Sequence, residues 1–341
     1  MMPGVQFPQL TCEAVQMNED IFKMRDIFLP HEARRRNALL ASGTNLIHYT
    51  SAAAAVEIIG KKKVWMRNLR CMNDFSEVDH GISLMQRSLR PPVESEAESG
   101  LRAVFRAVDS VFPDTSGAAI KWFDDNVFRL SNKTYITCLS EHAPNELEHG
   151  RLSMWRSYTS NQVGVGLVIN PMPLYSVTTS YGAFSSPVYY FTDIELRDVF
   201  IEISKNITQN RDYVERQGRE MVHGFLCILL RSIAMCTKHP GFVEEKEWRI
   251  MHTEGIDEQG VLEVDVECVN GIPQPVYKMP LQSQPNLGIV GIDIPQLLSG
   301  VIIGPTQFPF VVWDAISMVL SRAGVDDAMS IIKPSNIPLR T

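Results

Sequence analysis

The stretch LIHYTSAAAAVEIIGKKKVWMRNLRCMNDFSE, Leu46 to Glu77, decides how this chain is read. It opens as a strand, LIHYT, passes through the helix-forming SAAAAVEIIG, and returns to a second short strand, VWMRN. Ser51 stands where an N-cap is needed, and Gly60 stands where a helix can end. A purely structural β-α-β unit does not need the polar His48, Tyr49 and Thr50 at the end of its first strand, nor MNDFSE after its second. The two polar runs therefore read as walls of a ligand pocket.

Before this stretch the chain is helical around DIFKMRDIFLPHEARRRNALLA. Its arginine run, Arg34, Arg35 and Arg36, reads as a solvated helix face, with phosphate binding as the alternative. After the stretch, helical periodicity covers about residues 79–130, broken at Pro91-Pro92. TYITCLS (Thr134–Ser140) then alternates as a strand, EHAPNELEHG is a loop, LSMWRSYT is a short helix, and the valine-rich VGVGLVINP is a central strand. SPVYYFTD reads as a further strand, followed by helices as far as Cys236 and the strand of FVEEKEWRI. VLEVDVECV and PVYKMPL alternate as a pair of edge strands, and LLSGVIIGP, FVVWDAISMVLSRAG and AMSIIKPS close the chain as strand, helix and strand. There is no strict βαβ alternation, and several strands are consecutive. The expected class is α+β with a mixed or split β-sheet, made of an N-terminal helical segment (1–43) and a single α+β domain (44–341) with a helical insertion at about 79–130.

Bulk composition excludes several classes. A formal net charge of −7 and a pI near 5.7 do not suit a broad grip on a nucleic-acid backbone. The six cysteines are scattered through apolar surroundings, without the paired spacing of zinc sites, so reduced thiols and no structural metal are expected, in a cytoplasmic protein. The N-terminus lacks a basic region followed by an apolar run. MVHGFLCILLRSIAMC (Met221–Cys236) is interrupted by His223, Arg231 and Ser232 and is shorter than the ~20 residues of a membrane helix, so it reads as a buried core helix.

Glycine-rich VGVGLV and GPTQFP lack the strand-turn-helix setting of a phosphate loop. His142, Glu146, Glu148 and His149 form a solvated acidic loop or, alternatively, a metal site. In FVEEKEWRI the two-residue strand period puts Glu245, Glu247 and Arg249 on one face. The structural reading is a salt-bridge ladder; the functional one is Glu247 in a pocket, where a carboxylate orients a sugar hydroxyl or stabilises a developing cation. In WRSY, Trp155 reads as packing a short helix on the sheet, while Arg156 and Tyr158 are candidates to hold an anion and stack on a base.

The blocks HYT, VWMRN with MNDFSE, TYITCLSE with MWRSYTSNQVGVGLVIN, FVEEKEWRI, and LLSGVIIGP with IIKPSNIPLR resemble, in that order, the bacterial domain-of-unknown-function family 2971, from about Thr44 to the C-terminus. More loosely, a His ending an early strand, an aromatic and Ser/Thr strand in mid-chain and a Glu-x-Glu entering a late strand are similar to the ADP-ribosyltransferase superfamily. That resemblance implies an enzyme using NAD as substrate, with Glu247 and His48 catalytic and with Tyr49, Thr50, Tyr135, Thr137, Ser140, Arg156 and Tyr158 binding the cofactor. Asn73, Asp74, Glu77, Glu245 and Arg249 are further pocket candidates, with Asp74 or Ser76 also suited to cap a helix. It implies a nucleotide-like ligand, an acceptor that is protein or nucleic acid, no membrane partner, and a role as a bacterial toxin or antiviral-defence effector. Two alternatives stand beside it: a metal-dependent nuclease or phosphoesterase built on His48, Asp74, Glu77 and Glu247, and a non-enzymatic sensor of a nucleotide or phage protein.

Overall fold

Apolar faces at helical spacing need partners, and in this chain they find them across long stretches of sequence. The computed structural model describes residues 12–72, 77–89, 100–158, 162–171, 180–258, 260–269 and 271–338, with side chains described for all of these but 12–18 and 77. The chain packs as two compact units.

The first unit draws on Met1–Arg34, Leu84–Asp124 and Asp193–Arg231. The helix Gly100–Val111 turns Leu101, Val104, Val108 and Val111 inward at three- and four-residue spacing. It lies on the helix Asp193–Gln209, which buries Leu196, Phe200, Ile203 and Ile207. The approach is close: a Cβ on Gly100 would stand 2.7 Å from the carbonyl oxygen of Arg197. Phe28 and Phe225 bring in two further helices, their rings 5.9 Å apart. Of the stretch read as one insertion at about 79–130, Leu84–Asp124 falls in this unit, where the apolar stripe of Gly100–Val111 is buried against Asp193–Gln209.

The second unit draws on Arg35–Ser83, Asp125–Thr192 and Ser232–Thr341 and holds the sheet. Its strands are β1 (Asn45–Ser51), β2 (Lys63–Asn68), β3 (Thr134–His142), β4 (Gly164–Ile169), β5 (Phe184–Pro187), β6 (Glu247–Thr253), β7 (Glu263–Val269), β8 (Ile272–Pro280), β9 (Leu298–Ile303) and β10 (Ile332–Pro334). β3 is the fork. Along one edge it pairs with β6, and along the other with β1 (Ile47 opposite Ser140) and then β2 (Arg67 opposite Ile136). One branch continues β1-β4-β9-β10 and the other β2-β8-β7, while β5 flanks β6. β9 and β10 run parallel and every other pair is antiparallel, so the sheet is both mixed and split, in an α+β fold. The expected pairing of β7 with β8 forms, but only β7 lies at the edge, because β8 also pairs with β2.

Strand alternation divides the side chains between two faces. Leu46, Tyr135, Leu139, Trp248 and Ile250 share one core cluster, and Leu167 and Val165 share a neighbouring one with the helices Ala52–Lys61, Ile294–Leu297 and Pro309–Arg322. On the other face Ile47, Tyr49, Val168 and Ile302 pack on Met154 and Trp155 of the helix Leu152–Tyr158. Three glycines seat the Trp155 indole: a Cβ on Gly150, Gly166 or Gly304 would come within 2.7, 3.3 or 2.9 Å of it. Gly166 of VGVGLV and Gly304 of GPTQFP are thus explained by close packing.

Ser51 caps its helix as expected, accepting the Ala54 N–H at 3.2 Å. Gly60 does not end that helix, which runs to Lys61 and is closed by Lys62 in the left-handed region at φ 53°. No helix among the described residues is long and apolar enough to cross a membrane.

Candidate functional site

The registers that build β3's two edges bring the start of β1, the end of β3 and the start of β6 together. At this junction lies a pocket of about 350 Å³ lined by Arg35, Thr44, Glu141, Ala143, Tyr190, Val243 and Lys246. That volume is at the small end of small-molecule sites. Arg35 pairs with Glu141 at 2.7 Å, and Lys246 stands 3.4 Å from Glu146. The Tyr190 hydroxyl oxygen accepts the backbone N–H of Glu247 at 2.9 Å, which ties the pocket wall to the first residue of β6.

Arg151 fixes the loops around the pocket. Buried, it donates to the Glu146 carboxylate, the Ser140 hydroxyl (2.9 Å) and the carbonyls of Glu141 (2.8 Å) and Glu244 (2.7 Å). Burial alone would raise the Glu146 pKa, but the Ala143 N–H and the Arg151 guanidinium overcome it and hold that carboxyl down to about 2. The Ser140 hydroxyl in turn donates a hydrogen bond to the Glu245 carbonyl at 2.6 Å. The backbone at the strand ends is therefore pinned by one planar cation that meets several acceptors at once.

Behind Tyr190 lies a buried ion cluster. The Glu247 carboxylate takes Arg249 at 2.7 Å and Lys238 at 2.8 Å, and Lys238 also takes Glu245 at 2.6 Å. Arg249 spends a further N–H on the Met235 carbonyl. Burial would push the Glu247 carboxyl up, yet Arg249 and Lys238 override it and hold it well below the usual carboxylate range. Around it, burial pushes the Cys138 thiol and the Tyr158 phenol up, with Glu247 adding to both.

Residues 154–250 match the model of the family described as protein of unknown function, DUF2971. That segment belongs to the DUF2971 family. No curated protein and no solved structure matches the chain. The DUF2971 segment is shorter than the expected span from Thr44 onward: it takes in MWRSYTSNQVGVGLVIN and FVEEKEWRI, while HYT, MNDFSE and TYITCLSE precede it. It carries Trp155, Tyr158, Tyr190, Lys238, Glu245, Glu247 and Arg249, and so all of the buried ion cluster.

The structure does not bring His48 and Glu247 together. His48 faces a separate cavity of about 40 Å³, lined otherwise by Thr137 and apolar side chains such as Leu139, Leu167 and Ile250. Its Nδ1–H donates to the Cys138 carbonyl at 2.9 Å, and desolvation keeps the ring neutral, although that hydrogen bond opposes the shift. Glu247 leaves the other face, because Ser140, its partner on β3, stands opposite Ile47 rather than His48. One residue of register thus separates them by the thickness of the sheet.

The remaining candidates also divide. Tyr49 is scaffold: its ring meets Trp155 edge-on at 4.7 Å, and its hydroxyl lies 3.0 Å from His142 Nε2 and accepts the Arg151 N–H. Tyr135 is buried against Tyr277, and Thr137 shares the His48 cavity. Thr50 is half-buried and pairs across to Val165. Arg156 is exposed, whereas Tyr158 reaches the Glu247 cluster. Ser140, Glu245 and Arg249 do meet Glu247's neighbourhood, though Glu245 arrives from the 3-10 turn Pro240–Glu245 and not by strand alternation, because Lys246 at φ 44° breaks the chain direction between them. Asn73 and Asp74 lie outside the described residues, as does the side chain of Glu77. No cluster of metal ligands occurs among the described residues, and His149 of the acidic loop bonds the Ser335 carbonyl.

Lys238, Arg151 and Tyr190 were not foreseen. Lys238 had one legible signal, a lone lysine between an apolar helix and a Pro-Gly turn, just before three acids that need a cation. The arginine run is not a uniformly solvated face, since Arg36 is buried and Arg35 lines the pocket.

Proposed function

We propose that the protein binds a nucleotide-like, anionic small molecule in the pocket at the junction of β1, β3 and β6, and acts as a sensor of it. The supporting observation is the convergence of Arg35, Lys246, Thr44 and Tyr190 on one cavity of about 350 Å³. A guanidinium and an ammonium meet phosphate or carboxylate oxygens, and the two hydroxyls can accept or donate to ribose. This reading implies a cytoplasmic protein and suits the defence role that the family resemblance suggests, as a detector of a nucleotide signal.

A transferase run jointly by His48 and Glu247 is disfavoured by their opposite faces. One observation favours a transferase worked by Glu247 without His48: the carboxylate is held ionised next to Tyr158 and Tyr190, as a stabiliser of an oxocarbenium-like state must be. Its burial between two cations weighs against it.

Calorimetric titration with AMP, ADP-ribose and NAD separates the two. The sensor reading expects saturable binding of at least one of them, weakened at least tenfold in Arg35→Ala and Lys246→Ala, with no nicotinamide released from NAD. Nicotinamide release that Glu247→Gln abolishes and His48→Gln preserves would replace the sensor by the transferase. Absence of any binding overturns the pocket assignment.

A further inference from the structure

We infer that the Glu141 carboxylate is a built-in stand-in for the anionic group of the ligand, holding Arg35 until a phosphate displaces it. The inference rests on the proposed pocket and specifies how it is regulated. Arg35 Nη2 lies 2.7 Å from Glu141 Oε1, with both side chains largely shielded from solvent. Arg35 extends from the helix Pro30–Ala41, and Glu141 is the penultimate residue of β3. The main chain of Glu141 cannot retreat, because its N–H donates to the Lys246 carbonyl at 3.0 Å and its own carbonyl accepts Arg151 at 2.8 Å. Only the side chain is free to yield.

The charged groups facing this carboxyl come from three directions. They are Arg35 on its helix, Lys246 ahead of β6, and Arg151 ahead of the helix Leu152–Tyr158. Glu146 lies beyond Lys246 and engages both it and Arg151. Arg151 is consumed by Glu146, Ser140 and backbone carbonyls, so Arg35 is the cation that Glu141 pairs with directly.

A phosphate on Arg35 and Lys246 therefore faces a carboxylate at hydrogen-bonding range of the same guanidinium. Two anions on one cation repel, and in this shielded site the relief is for the carboxylate to take up a proton as it leaves the guanidinium. Burial already pushes the Glu141 carboxyl above its ordinary value, although Arg35 opposes it. The pocket would then discriminate by charge: a dianionic phosphate monoester repays the displacement of Glu141, and an uncharged nucleoside does not.

The test is calorimetric titration of the whole 341-residue chain with AMP and with adenosine, for wild type and the Glu141→Gln and Arg35→Ala variants, from pH 6.5 to 8.5. Buffers of differing ionisation enthalpy report the protons exchanged. The expected result is AMP affinity that weakens with rising pH in wild type together with proton uptake on binding. Glu141→Gln should bind AMP about tenfold more tightly at pH 8, equivalent to about 1.4 kcal/mol, with no proton uptake. Adenosine should remain weak throughout, and Arg35→Ala should lose the AMP preference. If wild type binds AMP but Glu141→Gln binds equally or more weakly, with proton exchange unchanged, the displacement idea is overturned while the pocket stands. If neither wild type nor Glu141→Gln binds AMP, although circular dichroism shows both folded, the pocket and the inference fall together.

Discussion

His48 and Glu247 leave the same sheet from opposite faces, His48 toward a small apolar cavity and Glu247 into a cluster with Arg249 and Lys238. The separation follows from register. Ile47, Ser140 and Glu247 stand in one row across β1, β3 and β6, so His48, one residue on from Ile47, belongs to the other side. The consequence is that His48 serves the fold. His48→Gln should lower stability by about 1–2 kcal/mol through the disturbed bond to the Cys138 carbonyl, yet leave nucleotide affinity within twofold. Urea unfolding beside a binding titration checks this, and a large loss of affinity in a stable variant would return His48 to the site.

The ion cluster should respond unequally to changes in its members. Lys238→Met takes away the cation that Glu245 and Glu247 share, and a buried charge stripped of a partner costs about 3–5 kcal/mol. Combining Lys238→Met with Glu245→Gln should recover part of that loss, because the second change removes one of the two acids that shared the cation. Denaturation midpoints of the two single variants and the double variant measure the coupling. Strict additivity would mean that the two groups do not interact.

Stability should fall in mild acid, and a defined share of that fall can be assigned to one ring. Burial first, then the neighbouring Arg151, depress the His142 pKa to about 3, against about 6.5 in an unfolded chain. Between these values the unfolded chain binds a proton that the fold refuses. The contribution of His142 is therefore intact above about pH 6.5 and declines as the pH drops toward 3, by up to about 1.4 kcal/mol per pH unit. His48, lowered by burial, acts in the same direction. A His142→Gln variant should start less stable at pH 8, where it lacks the contact with Tyr49, but lose stability less steeply from pH 6.5 to 5. Parallel profiles for variant and wild type would exclude His142 as the source.

The seat of Trp155 should tolerate little added volume. A methyl on Gly166 would stand 3.0 Å from Ile47 Cγ2 and 3.3 Å from the indole, a fit that requires both neighbours to shift. Gly166→Ala is expected to cost about 1–3 kcal/mol, in the range of overpacked cores, and Trp155→Ala about 3–5 kcal/mol from the cavity it leaves. Thermal melts followed by tryptophan fluorescence and circular dichroism distinguish the two. A Gly166→Ala protein as stable as wild type would mean that this glycine is not required by the packing.

Most strands were legible because their signals are local, although β5 runs over Phe184–Pro187 rather than along SPVYYFTD. Alternation and valine content marked β1, β3 and β4, and the pairing of β7 with β8 followed from two adjacent alternating runs. The Glu247–Arg249 contact was also readable, since two residues apart on a strand means one face. What pairing decides was not legible. Nothing within HYT says that Ile47 rather than His48 lies opposite Ser140, and that single register reassigns the expected dyad. Arg151 was missed for the same reason, since Ser140 and Glu244 are brought to it by the fold, whereas Lys238 lay close enough to Glu245 and Glu247 for its pairing to be readable. The amphipathic stripe of Gly100–Val111 announced a buried face without naming its partner, the helix Asp193–Gln209, ~90 residues later.

The most direct test of the pocket is photo-crosslinking with 8-azido-AMP followed by peptide mapping. The expected label falls on the segments that line the pocket, around Tyr190, Val243 and Lys246 or near Arg35 and Thr44, and is competed away by excess AMP. Labelling confined to residues remote from these, or labelling that AMP does not suppress, would contradict a nucleotide site at the junction of β1, β3 and β6.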